Sequence, residues 1–119
     1  MKPQAYLLYF PHNPEGLFKF LESALDWEDG KKVKFLLWVD NNDHKVSSEF
    51  YTLRRFIRKG LQIDVFVNPH TNNKQEVWDF LYSKTTSDSM VIKNDEQATS
   101  IYELDVQNIV SFGEFNETT

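Results

Sequence analysis

Short apolar runs at Tyr6–Phe10, Val33–Val39 and Leu61–Val67 recur along this chain, each followed by a stretch with helical spacing and a readable helix end. Strands that alternate with helices of this length can pair only through crossover connections, and such crossovers lead to a parallel sheet with helices packed on it. The first two runs are apolar but for Lys34 and rich in aromatic and branched side chains, as strands buried on both faces must be. They are expected to be central. The third alternates, with Leu61, Ile63, Val65 and Val67 on one side and Gln62 and Asp64 on the other, and is expected nearer a sheet edge.

The helices between them carry their own punctuation. Asn13 is placed to cap the first, with Pro14 at its opening position and Glu15 in the first turn, and Gly30 is expected to supply a left-handed stop. The second starts near Ser47 or Ser48 and stops at Gly60 in the same way. For the third, Asn73 followed by Glu76 forms a capping-box-like start. Residues 5–84 therefore read as a Rossmann-like three-layer α/β sandwich with a mainly parallel sheet, in the order β-α-β-α-β-α.

Beyond Lys84 the pattern weakens to a short β-rich extension over 89–115. Met90–Lys93 reads as a fourth strand. Beyond it Ala98, Ile101 and Tyr102 fit a helix, but the branched and aromatic residues favour two short strands, Ser100–Leu104 and Ile109–Phe115, around a turn at Asp105–Asn108, with 116–119 as a frayed tail. There is no internal repeat, low-complexity tract or linker, so residues 1–119 are expected to form one domain, a length suited to one core and too short for two.

Composition excludes several function classes. The absence of cysteine removes disulfides, thiolate metal sites and thiol nucleophiles, and fits a cytoplasmic location. Purely apolar runs such as Phe35–Val39 are too short for a membrane span or a secretory leader, so the sequon at Asn116 is read as coincidence. A net charge of −5 disfavours nucleic acid as the partner, because phosphate neutralisation supplies most of that affinity.

In open parallel sheets ligands gather beyond the carboxyl ends of the strands. The loops expected there are polar: Pro11-His12-Asn13, Asp40-Asn41-Asn42-Asp43-His44, Asn68 to Asn73, and Asn94-Asp95. All three histidines fall on that edge. Asp40 and Asp43 holding a hard cation, with His12, His44 or His70 as acid or base, would suit a metal- or nucleotide-dependent phosphodiester or hydrolytic enzyme. The competing account is that Asn, Asp, Ser and Pro are what caps and turns require at these points. Specific templates fail: Lys45 stands where a calcium loop bends at glycine, Pro14 removes an amide where a phosphate cradle needs one, and neither His-x-x-x-His nor Gly-x-Ser-x-Gly occurs. No cofactor and no metal site is expected.

The helices suggest a different class. At about 100° per residue, Phe50, Leu53, Phe56 and Ile57 share one arc of the second helix, while Arg54, Arg55, Arg58 and Lys59 share the other with Tyr51 among them. These are all the arginines of the chain. Cations at this end of a helix also complement its dipole and stay solvated without any partner. The apolar residues of the first helix spread over about 180° and those of the third over about 200°, wider than the stripe of about 100° that a sheet covers. The C-terminal segment of the same chain, a second copy or a partner protein must cover that surplus, and Trp27, Trp78 and Tyr82 are expected at its edge. The expectation is a non-catalytic protein-binding module of inhibitor, immunity or adaptor type, docking another protein or a second copy through aromatic helix faces and a basic one.

Overall fold

Four parallel strands in the order β3-β2-β1-β4 form the sheet: β1 Ala5–Tyr9, β2 Val33–Val39, β3 Gln62–Val67 and β4 Met90–Asn94. A computed structural model describes residues 5–11, 14–39, 50–67, 73–86, 90–95 and 97–104, with the side chains of 50–52 outside that description. Helices α1 Pro14–Asp26, α2 Phe50–Arg58 and α3 Lys74–Tyr82 occupy the crossovers, and short 3-10 turns lie at Gly30–Lys32 and Ile101–Glu103. The fold is a small α/β domain with an all-parallel sheet.

Burial explains the strand order. Every residue of β1 is buried, as are all of β2 except Lys34, so these two run through the middle, paired from Ala5↔Val33 to Tyr9↔Leu37. β3 and β4 are only partly buried, and among the described residues each pairs on one side, with β2 and β1 respectively. The alternating third run is thus an edge strand, where Lys34 on β2 reaches Asp64 on β3 at 3.0 Å.

Strand alternation divides the core in two. Ala5, Leu7 and Tyr9 on β1 and Phe35 and Leu37 on β2 meet Leu17, Phe20, Leu21 and Ala24 of α1 and Leu53 and Phe56 of α2. Tyr6, Leu8, Leu36 and Trp38 point the other way and meet Val77, Trp78 and Leu81 of α3. Edge-to-face aromatic pairs run through both halves, Tyr9–Phe20 at 5.1 Å in one and Phe66–Phe80 at 5.3 Å in the other.

Helix ends follow the local chemistry, with one exception. The Asn73 side chain accepts from the Gln75 amide at 2.9 Å and caps α3. Gly60 adopts φ +112, with Gly60 N–H bonded to Ile57 C=O and Leu61 N–H to Phe56 C=O, a Schellman end to α2. Gly30 is the exception, since among the described residues Gly60 is the one glycine with positive φ. Gly30 instead serves close approach: a Cβ there would overlap the Ala24 carbonyl oxygen, so the turn after α1 can fold back on the helix only with glycine.

The expected strand at Ser100–Leu104 is also corrected. Ile101–Glu103 is a 3-10 turn whose Ser100 hydroxyl accepts from Tyr102 N–H at 3.2 Å. Ile101 is fully buried beside α1, and its N–H donates to the Ser23 hydroxyl at 2.7 Å rather than to a strand. Branched residues were read for their strand preference, but burial against a helix decided the outcome. The expected strand at 109–115, the cap at Asn13, and the start of α2 near Ser47 lie outside the described residues.

Candidate functional site

α2 buries few of its described side chains, and what remains outside is almost all cationic. Leu53 and Phe56 reach the core, whereas Arg54, Arg55, Arg58 and Lys59 are exposed and line a groove of about 470 Å³. The cause lies in the spacing: Leu53 and Phe56 fix one side against the sheet, and a step of about 100° per residue carries the four cations to the opposite side. The guanidinium of Arg55 lies 5.4 Å from the Phe56 ring centroid, which holds one edge of the basic face against the aromatic core. Among the described residues, no carboxylate forms an ion pair with Arg55, Arg58 or Lys59.

A fifth cation comes from another element. Because Gly60 has no side chain, the Lys31 chain lies against it, its Cε only 2.7 Å from where a Cβ would stand. Lys31 is held in register by its own carbonyl, which accepts from Gln62 Nε2 at 2.8 Å. Its neighbour Lys32 is engaged with Asp29 at 3.0 Å. The basic surface therefore spans α2 and the turn before β2. Lys31 was not singled out in the sequence; the signal that could have found it is a lysine opposite a left-handed glycine, which needs the fold to be seen.

Ile57 departs from its expected place. It is 45% exposed, although the wheel put it with Phe50, Leu53 and Phe56. It lies about 60° round the helix from Arg54, so the basic face has an apolar margin. The Tyr51 side chain lies outside the described residues.

The two tryptophans are corrected. Trp27 and Trp78 were expected at the edge of an open patch, yet each is only 6% exposed. Trp27 joins the core beneath α1 and α2, and Trp78 joins that beneath α3, with Lys93 Nζ 5.5 Å from its ring. The wide apolar arc of α1 is covered from within: Phe18 stacks on Phe56 of α2, and the 101–103 turn closes over the rest through Ile101. On α3, Phe80 packs edge-on against Trp38 at 5.6 Å. Of the expected aromatic trio, Tyr82 alone stays outside, at 61% exposure.

At the carboxyl edge, His12, Asp40, Asp43, His44 and His70 lie outside the described residues. Two described side chains there are bonded inward. Fully buried Asn94 accepts from Ala98 N–H at 2.9 Å and donates to Ala98 C=O at 3.2 Å. Gln97, with φ 57, donates to the Phe10 carbonyl at 2.9 Å and ties the segment after β4 to the end of β1. For Asn94 and Asn73 the turn-and-cap account of the polar loops holds. Burial pushes the nearby Tyr9 phenol up to about 12, so it is neutral across the physiological range. Among the described residues no group of His, Asp and Glu is placed to hold a metal, and no helix is long and apolar enough to cross a membrane.

Comparison with protein-family models, with curated proteins and with solved structures returned no match.

Proposed function

We propose that this chain is a non-catalytic protein-binding module, of inhibitor, immunity or adaptor type, that docks through the basic face of α2. The observation that carries this reading is the grouping of Arg54, Arg55, Arg58 and Lys59 around one groove on a chain whose net charge is −5. Outside these four, nine cations are set against eighteen carboxylates. A local positive field on an otherwise negative molecule orients an approaching partner and speeds its encounter. Arginine favours this role because its planar fork pairs carboxylates two bonds at a time.

The buried tryptophans move the reading away from the aromatic helix faces and leave Tyr82 as their accessible member. A homodimer through α2 is disfavoured on charge, since a two-fold contact would set the same cations against themselves. The finer description of the scaffold as a Rossmann-like three-layer sandwich is supported by the two apolar clusters on opposite strand faces. A cytoplasmic setting fits the lack of cysteine.

The test compares wild type with the double variant Arg55→Gln/Arg58→Gln. The protein retained by wild type from host extract is identified, purified and titrated against both forms. A one-to-one complex weakened at least about tenfold in the variant, and weakened by added salt, is the expected result. Equal affinity for both forms would refute docking at this face.

A further inference from the structure

We infer that the α2 face takes a short acidic segment of another protein that carries an apolar anchor, with carboxylates on Arg55, Arg58 and Lys59 and the anchor against Ile57. This rests on the reading of α2 as the docking face and adds the chemistry of what docks there.

The charges alone would fit any polyanion, so the choice depends on extent and on Ile57. A helix of nine residues is about 14 Å long. A nucleic acid continues past that length on both sides, and its next phosphates would meet the rest of a chain in which, outside Arg54, Arg55, Arg58 and Lys59, eighteen carboxylates stand against nine cations. An acidic segment of a few residues ends where the cations end. Lys31 beyond Gly60 lengthens the cationic track by one position past the helix terminus, again a finite run.

Ile57 supplies the second half of the recognition. Its 45% exposure sets an aliphatic side chain on the margin of the face beside Arg54, while the opposite margin closes through Arg55 over Phe56. Apolar surface next to cations has no use to a phosphate backbone. It does offer contact to a segment whose leucine or phenylalanine lies among its acidic residues. Charge then gives orientation and the apolar contact gives residence, the usual division of labour at an interface.

The experiment uses the full chain and four probes, followed by fluorescence anisotropy or calorimetry. They are a Glu-rich peptide with one central leucine, the same peptide with serine in its place, a single-stranded oligouridylate of equal charge, and inorganic phosphate. The leucine peptide is expected to bind most tightly, with the serine peptide about tenfold weaker, the size of a partly buried aliphatic contact. Ile57→Ser should cost the leucine peptide the same factor and cost the serine peptide nothing, the non-additivity that marks a direct contact. Arg55→Gln/Arg58→Gln should weaken both peptides.

Tighter binding of the oligouridylate, no binding of either peptide, or equal affinity for the two peptides each overturns the inference. Equal peptide affinities that both fall in the arginine variant would leave the docking face standing and remove only the anchor. A native partner held equally by wild type and the arginine variant would instead remove the docking face itself.

Discussion

α2 and α3 are both nine-residue helices laid against the same sheet, and they end up with opposite surfaces. α3 buries Val77, Trp78 and Leu81 and half-covers Phe80, so that most of its aromatic circumference is spent inside the fold. α2 sends Leu53 and Phe56 inward and leaves Ile57 and four cations outside. The difference is one of solvation. An indole or phenyl ring can be folded back onto a neighbour from almost any side, whereas a guanidinium taken out of water costs several kcal/mol unless a carboxylate goes with it. A wide apolar arc is thus weak evidence for an open surface, because the chain has many ways to cover it. A cationic arc in which Arg55, Arg58 and Lys59 meet no carboxylate among the described residues is stronger evidence, because the chain has few.

The largest expected effect tests the covered side. Trp78→Ala should cost about 3–5 kcal/mol, the range for removing a buried large aromatic, read as a lower urea midpoint at constant slope. A loss below about 1 kcal/mol would mean that Trp78 is not part of the core, and the contrast between the two helices would collapse.

Next comes a contrast between the two glycines that follow helices. Gly30→Ala drives a methyl into the Ala24 carbonyl, a backbone atom that cannot swing aside, and should cost about 3 kcal/mol, the upper end of overpacking penalties. Gly60→Ala meets only the flexible Lys31 chain, so its cost is that of the left-handed backbone, about 1–2 kcal/mol. Thermal melts of the two variants should rank them in that order, and the reverse ranking would show that Gly30 is not the tighter packing point.

How far the sequence carried the reading depends on which contacts decided each element. Period and punctuation were enough for the central strands, the edge strand, the Asn73 cap and the Gly60 stop, because each is set by residues within a few positions of itself. Gly30 was misread because a glycine after a helix has two uses, positive φ or close approach, and only the distance to Ala24 separates them. The 101–103 turn was missed for a similar reason: Ile101 favours a strand locally, but the Ser23 hydroxyl and the α1 surface claim it from 78 residues away. At the site, the cations of α2 were legible from helical spacing. The Trp burial, Lys31 and the exposed margin at Ile57 were not, since each depends on which element packs beside which.

A pH titration sharpens the same comparison through tyrosines. Tyr9 is buried with a folded pKa of about 12 against an ordinary 10.0. A raised folded pKa means that its contribution is intact below pH 10 and is lost as pH rises from 10 towards 12, where the unfolded chain sheds the proton first. That loss is at most about 2.7 kcal/mol. Tyr9→Phe should flatten this alkaline decline in unfolding free energy, and an unchanged slope would show that the phenol is not held neutral by the core. Tyr102 is raised in the same direction by partial desolvation and by the Asp26 and Glu28 carboxylates, but it is half exposed and should add little.

The smallest expected effect is on the open side. Arg55→Gln/Arg58→Gln should change folding stability by no more than about 1 kcal/mol, because exposed cations at a helix end contribute mainly through the dipole. Lys59 and the Schellman bonds of Gly60 and Leu61 would still satisfy that end of α2. A loss of more than about 2 kcal/mol in urea unfolding would show that the arginines hold the fold together, and their exposure would then say nothing about a partner. Stability near wild type would instead leave the arginines as groups that the fold does not require, which is the condition for assigning their energy to binding.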